Sequence, residues 1–70
     1  MMTAKDYELI AACLGGAFNK VLPQHAHIVE DVQRRLMLEM KLDNPRFDEE
    51  RFERRVAYWT KAHAADGRLG

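Results

Sequence analysis

Apolar residues recur at helical spacing in three stretches of the chain, and polar residues fill the positions between them. Spacings of three and four residues place side chains on one face of an α-helix. We therefore predict helices at about residues 3–18, 23–42 and 49–64, with a frayed tail at 65–70. No alternation typical of a strand occurs. The predicted fold class is all-α, with three amphipathic helices in a small bundle or orthogonal arrangement that forms one domain over residues 1–70.

The first predicted helix begins with a capping box formed by Thr3 and Asp6. Its inner face consists of six residues: Tyr7, Ile10, Ala11, Leu14, Ala17 and Phe18. Gly15 and Gly16 lie inside this pattern, and each weakens a helix by about 1 kcal/mol relative to alanine. They either end the helix early or allow another backbone to approach closely. We expect fraying or a break between Gly15 and Val21.

Pro23 suits the first position of the second predicted helix. The inner face of this helix, flanked by Met37, consists of Ile28, Val29, Val32, Leu36 and Met40. Leu38 and Leu42 lie off that face, as Leu9 and Cys13 lie off the inner face of the first helix. Several exposed apolar residues on a small domain indicate a second buried surface. These four residues are therefore the candidates for a homodimer interface.

The segment DNPRFDEERF, residues 43–52, separates the second and third predicted helices. Pro45 ends the second helix, because the residue before a proline is disfavoured in the helical conformation. Asp48 is expected to cap the third helix, with Phe47 and Phe52 as its hydrophobic staple. The inner face of the third helix is then formed by Phe52, Val56, Trp59 and His63.

The charge balance lowers the expectation of nucleic-acid binding. The chain has 11 Lys and Arg against 11 Asp and Glu, so its formal net charge is zero. DNA-binding domains of this size usually carry excess positive charge, although a local patch can serve. The single cysteine excludes an intrachain disulfide and favours a reducing compartment. With no secretory signal and no apolar run long enough to span a membrane, we expect a cytoplasmic protein.

The sequence offers little for catalysis or metal binding. His25 and His27 are two residues apart, so their side chains do not face the same way on a helix. A structural zinc site needs four ligands, and this histidine pair does not supply them. Cys13 has no base fixed near it in sequence, and Gly15-Gly16 lacks the lysine of a phosphate loop. His63 is interpreted as a partly buried histidine. We predict no metal, no cofactor and no enzymatic activity.

The third predicted helix carries a basic face, which consists of Arg51, Arg54, Arg55, Tyr58 and Lys61. Such a face can follow a phosphate backbone, or it can simply be solvated. Arginine and tyrosine are also enriched at the energetic centres of protein interfaces. We therefore assign these five residues to partner binding, with a protein favoured over nucleic acid.

Two segments together resemble a family. KDYELIAACL at residues 5–14 and DNPRFDEERF at residues 43–52 are similar to short phage and prophage proteins that begin with a D-Y-x-x-I-A helix and end near N-P-x-F-D-x-x-R-F. The resemblance covers roughly a third of the chain. It implies an accessory protein that acts in the host cytoplasm by binding a host protein: a defence complex, a transcription regulator or a motor for surface appendages.

The leading hypothesis is thus a non-enzymatic helical protein that dimerises and that binds and inhibits or modulates a host protein through its helix faces. The alternative is a small DNA-binding transcriptional regulator that uses the basic face of the third helix. The two differ in their response to salt, because DNA binding weakens steeply as counterions compete for the phosphates.

Overall fold

The computed structural model describes residues 2–66, which form three helices joined by short segments. Helix α1 spans Ala4–Lys20, helix α2 spans Ala26–Asp43 and helix α3 spans Glu49–Asp66. The predicted all-α fold with three helices is confirmed, and no strand occurs among the residues described. Helix α1 packs mainly against α3 and has a smaller contact with α2. The α1–α3 pair therefore sets the position of the side chains described below.

Helix α1 begins with the predicted capping box. The hydroxyl of Thr3 accepts a hydrogen bond from the backbone N–H of Asp6 (3.3 Å), and the carboxylate of Asp6 accepts one from the backbone N–H of Thr3 (3.0 Å). The helix then continues through both glycines to Lys20. The predicted break after Gly15 is wrong, because tertiary packing outweighs the weak helix propensity of glycine.

Small residues bring α1 and α3 close together. Ala11 is fully buried, and Gly15, one turn later, is buried as well. A Cβ atom on Gly15 would lie 2.5 Å from the Cβ of Trp59 and 2.7 Å from the backbone nitrogen of Thr60. One turn further, the side-chain amide of Asn19 donates to the carbonyl of Thr60 at 2.9 Å. Of the two roles expected for the glycines, close backbone approach is the one that Gly15 has.

Helix α2 buries fewer of its apolar side chains than predicted. It starts at Ala26, after a 3-10 turn that begins at Pro23. The residues that contact the core share one side of α2: Val29, Leu36, Met37 and Met40. Ile28 and Val32 are 55% and 49% exposed, so their predicted place on the inner face is wrong. The apolar arc of α2 is wider than the surface that the rest of the fold covers.

The turn between α2 and α3 is held by short-range hydrogen bonds. Asn44 ends α2 by donating its backbone N–H to the carbonyl of Met40 at 2.9 Å. The side-chain oxygen of Asn44 accepts from the backbone N–H of Arg46 at 3.1 Å. On the α2 side, the Lys41 ammonium donates to the carbonyl of Phe47 at 3.1 Å. These bonds fix the direction in which the chain enters α3.

Helix α3 starts as predicted. The carboxylate of Asp48 accepts a hydrogen bond from the backbone N–H of Arg51 at 3.0 Å, which confirms it as the cap. Phe47 and Phe52 are both buried, with their ring centroids 5.5 Å apart, so the predicted staple is confirmed. The cap and the staple act together to fix the first turn of the helix.

The predicted inner face of α3 is also confirmed. Phe52 and Val56 are buried, and Trp59 and His63 are partly buried. The ring of His63 lies against Gly16 of α1. The helix continues to Asp66, two residues beyond the predicted end at about residue 64. The rest of the predicted tail, residues 67–70, lies outside the residues described.

Candidate functional site

The five residues of the predicted basic face lie along one side of α3. Arg51, Arg54, Tyr58 and Lys61 are exposed, and Arg55 is partly buried where α3 meets α1. Positions three and four apart are neighbours on a helix surface, so the five side chains form a continuous face. The structure thus brings these residues together, although Arg55 differs from the others in its surroundings.

Glu8 on α1 holds Arg55 on α3. The Nε of Arg55 lies 3.1 Å from both carboxylate oxygens of Glu8, and a second guanidinium nitrogen also contacts Oε2. The indole Nε1 of Trp59 donates to the same Oε2 at 2.8 Å. The side chains of Arg55 and Glu8 are 41% and 38% exposed. One carboxylate therefore fixes two side chains of α3 at the edge of the helix interface.

These hydrogen bonds favour the charged forms of both partners. The bonds from Arg55 and then from Trp59 hold the pKa of Glu8 below its ordinary value of 4.5. The bond to the Glu8 carboxylate raises the pKa of Arg55. Partial burial acts in the opposite direction on each group but is outweighed. The pair is consequently ionised at neutral pH.

The guanidinium of Arg55 also lies over the ring of Tyr58, with Cζ 4.3 Å from the ring centroid. This distance is typical of a cation–π interaction. Trp59 meets the Tyr58 ring edge-on, with 5.1 Å between the centroids. Tyr58 itself is 50% exposed. The result is an ordered arginine–tyrosine pair that is open to solvent at the centre of the basic face.

A groove of about 440 Å³ adjoins the N-terminal end of this face. Its walls include Arg46 from the turn before α3 and Arg51 from the first turn of α3. Its aromatic floor includes Tyr7, whose ring packs on Phe47 with centroids 5.1 Å apart. The side-chain amide of Asn44 donates to the Tyr7 hydroxyl at 3.4 Å. The groove thus combines a flat apolar surface with guanidinium groups.

The four predicted dimer-interface residues are all exposed, two of them on α1 and two on α2. Leu9 and Cys13 are exposed one turn apart on α1, on the side away from Ala11. Leu38 and Leu42 are 53% and 70% exposed on α2. On α2 they are joined by Ile28 and Val32, the two residues that were expected in the core.

The described residues contain no group of three His, Cys, Asp or Glu side chains that is arranged to hold a metal ion. His25 and His27 are exposed at the start of α2, and His63 packs between Trp59 and Gly16. Over the same part of the chain, none of the helices combines the length and the apolarity that a bilayer crossing requires.

Glu8, Trp59 and Arg46 contribute to the site in ways that the sequence analysis missed. Glu8 and Arg55 are 47 residues apart, so no local pattern connects them. A signal was nevertheless present: each flanks the apolar face of its own helix, and their charges are opposite. Flanking charges of opposite sign are candidates for interhelical pairs once two helices are known to pack together.

Comparison of the chain with known proteins found no related protein. No protein-family model matches the chain, and no curated protein or solved structure gives a significant match. The resemblance to phage and prophage proteins therefore stays a prediction, and the site stands on its own geometry.

Proposed function

We propose that this chain is a small non-catalytic protein that binds a host protein through the basic face of α3, and so inhibits or modulates it. The observation that carries the proposal is the Arg55–Tyr58 pair, in which the partly exposed Arg55 is held by Glu8 and lies over the exposed ring of Tyr58. The resemblance to phage proteins supports a host protein as the class of target.

The fixed geometry of the Arg55–Tyr58 pair lowers the free-energy cost of binding through it. Arginine and tyrosine are among the residues that contribute most to binding at protein interfaces. Ordering a long side chain costs about 0.5–1.5 kcal/mol when it occurs on binding. In the free chain Arg55 is already restrained by Glu8 on one side and by Tyr58 on the other. A partner that uses this pair therefore meets a preorganised surface.

The charges around the pair indicate the chemistry of the partner. Arg51, Arg54 and Lys61 are exposed on the same face, and Arg46 extends it along the groove. Glu8 and Asp48, the acidic residues of the groove, are engaged by Arg55 and by the start of α3. Guanidinium groups bind carboxylates with two parallel hydrogen bonds. A protein surface with acidic side chains fits this face best.

Nucleic-acid binding is the competing function for the same face. Phosphate contacts would use Arg51, Arg54 and Lys61 in the same way. The formal net charge of zero argues against it, because long-range attraction to a polyanion needs excess positive charge. Glu50 in the first turn of α3, four residues before Arg54, adds negative charge at the edge of the face.

The test is capture of a host protein from nuclease-treated host lysate by the immobilised chain. The variant Arg51→Glu with Arg54→Glu reverses two exposed charges of the face, and we expect it to lose the captured protein. The matched control is Lys5→Glu with Lys20→Glu, which reverses two exposed charges on α1. The control should retain the protein to the same extent as the unmodified chain.

Three results would contradict the proposal. The first is capture that disappears on nuclease treatment, which would indicate nucleic acid as the ligand. The second is equal loss in the test and the control variants, which would indicate a nonspecific effect of charge. The third is undiminished capture by the Arg51→Glu, Arg54→Glu variant, which would remove the basic face from the binding site.

A further inference from the structure

The groove at the N-terminal end of the basic face has a lining that favours one kind of occupant. Three elements build it: the start of α1, the turn before α3 and the first two turns of α3. Its volume of about 440 Å³ lies within the range of about 300–1,000 Å³ that is typical of sites for small ligands. A groove of this size suits a short segment of a protein partner.

The hydrogen bonds inside the groove leave donors available to a ligand. The side-chain oxygen of Asn44 already accepts from the backbone N–H of Arg46 at 3.1 Å, and the side-chain amide of Asn44 donates to the Tyr7 hydroxyl at 3.4 Å. Because the hydroxyl oxygen accepts this bond, its own hydrogen can be donated to a ligand. A polar group that enters beside Tyr7 therefore meets donors, which favours an acceptor such as a carboxylate.

The charged side chains of the groove carry an excess positive charge of one. Three of them are arginines, and two are carboxylates, Glu8 and Asp48. Both carboxylates already accept hydrogen bonds, from Arg55 and from the backbone N–H of Arg51. Among the residues described, the ion pairs involve neither the Arg46 nor the Arg51 guanidinium. One carboxylate from a ligand balances the excess, whereas a phosphate group brings a charge of about −1.5 to −2.

The apolar part of the groove is a cluster of aromatic rings. The partly buried Tyr7 packs on the buried Phe47 with centroids 5.1 Å apart, and Phe47 packs on Phe52 at 5.5 Å. Aromatic rings favour tilted or offset contacts at about 4.5–7 Å, and guanidinium groups stack on aromatic faces. An aromatic side chain from a ligand can therefore extend this cluster over the exposed part of Tyr7.

We propose that the groove binds an aromatic residue and a neighbouring acidic residue in one segment of the protein partner. The acidic side chain receives charge-assisted hydrogen bonds from Arg46 and Arg51, and the aromatic ring packs on Tyr7. Arginine clusters recognise acidic motifs in other peptide-binding proteins by the same chemistry. The groove then supplies the sequence preference of the interaction proposed above for α3, on which this inference rests.

Titration of the unmodified chain with short blocked peptides, followed by NMR, tests the groove directly. The probes acetyl-Phe-Glu-amide and acetyl-Glu-Phe-amide present both orders of ring and carboxylate without a terminal charge. We expect at least one of them to bind with a dissociation constant of about 1 mM and to shift the signals of Tyr7, Asn44 and Arg46. Acetyl-Phe-Gln-amide and acetyl-Ala-Glu-amide, which lack the carboxylate or the ring, should bind about tenfold more weakly.

Two variants test whether the peptide lies in the groove. Tyr7→Phe keeps the ring and removes only the hydroxyl donor, and Arg46→Gln removes one guanidinium group. Each should weaken binding of the better peptide by about tenfold, because a hydrogen bond to a charged group is lost. The matched control is Arg35→Gln, which removes an exposed guanidinium group from α2 and should leave the affinity unchanged. Circular dichroism of each variant checks that the helices are intact.

Absence of binding by both probes, or equal binding of the peptides that lack the carboxylate or the ring, would overturn the inference. So would unchanged affinity in Tyr7→Phe and Arg46→Gln, or tighter binding of adenosine monophosphate, which offers a ring with a phosphate. These results leave the proposed function standing, because capture of a host protein is measured separately with the Arg51→Glu, Arg54→Glu variant. A chain that binds the peptides in the groove but captures no host protein refutes the proposed function instead.

Discussion

The backbone of Gly15 on α1 lies directly against Trp59 on α3: a Cβ added at position 15 would be 2.5 Å from the Trp59 Cβ. The nearest atoms also include the backbone of Thr60 at 2.7 Å, which cannot move aside as a flexible side chain can. Glycine at this position is therefore required by the distance between the two helices. The same close approach brings Glu8 within reach of Arg55.

Gly15→Ala should destabilise the fold by about 1–3 kcal/mol, because the added methyl group separates the two helices. Alanine favours a helix over glycine by about 1 kcal/mol, so helix propensity alone would make this variant more stable. We expect it to be less stable. Urea unfolding followed by circular dichroism gives the free energy of unfolding.

Gly16→Ala is the matched control for this substitution. A Cβ at position 16 would lie 3.5 Å from Nε2 of His63, an ordinary contact distance. Here the helix propensity should dominate, and we expect stabilisation of up to about 1 kcal/mol. If both alanine variants were equally stabilised, the close approach of α1 and α3 at Gly15 would be refuted.

Glu8→Gln should remove a pH-dependent part of the stability. The folded pKa of Glu8 lies below its ordinary value of 4.5, so this contribution is complete above that value and is lost as the pH falls through the folded pKa. The melting temperature of the unmodified chain should therefore exceed that of Glu8→Gln at pH 7, and the difference should shrink in acid. A difference that stayed constant from neutral to strongly acidic pH would show that the carboxylate charge is not involved.

Asp48→Ala should cost about 1 kcal/mol of stability, since it removes the acceptor for the backbone N–H of Arg51 at the start of α3. Asp48→Asn keeps an acceptor and should cost much less. The midpoints of urea unfolding of the two variants give the comparison. Equal loss in both would mean that the charge of Asp48, and not its hydrogen bond, stabilises the helix start.

Trp59→Ala should cost about 3–5 kcal/mol, because it removes a packed aromatic side chain from the α1–α3 interface. A single core of this size supplies about 3–5 kcal/mol in total. The variant should therefore be largely unfolded, and its helical circular dichroism signal should be weak at room temperature. An unchanged melting curve would show that Trp59 is not part of the core.

The features that the sequence predicted well are local ones. The Thr3–Asp6 capping box and the cap at Asp48 each depend on residues within three positions, so spacing is sufficient to find them. The staple between Phe47 and Phe52 is local in the same sense. Their partners lie within five residues of each other, so they can be found without knowing how the helices pack.

The features that the sequence predicted poorly depend on a second helix. Periodicity shows that α2 has an apolar arc, but not how much of it a neighbour covers, and so Ile28 and Val32 were placed in the core. The sequence left two roles for Gly15, a helix end or a close backbone contact, because the choice depends on how closely α3 packs against it. The partners Glu8 and Arg55 were missed because their contact exists only once α1 and α3 pack.

The central claim is that Glu8 prepares Arg55 for a protein partner, and the most direct test is the affinity of Glu8→Gln for the captured host protein. The substitution raises the formal net charge from 0 to +1 and releases Arg55. We predict that binding weakens by about two- to tenfold at physiological salt, because the arginine must then be ordered on binding. Tighter binding by Glu8→Gln, as expected for attraction to a polyanion through net charge alone, would contradict the account.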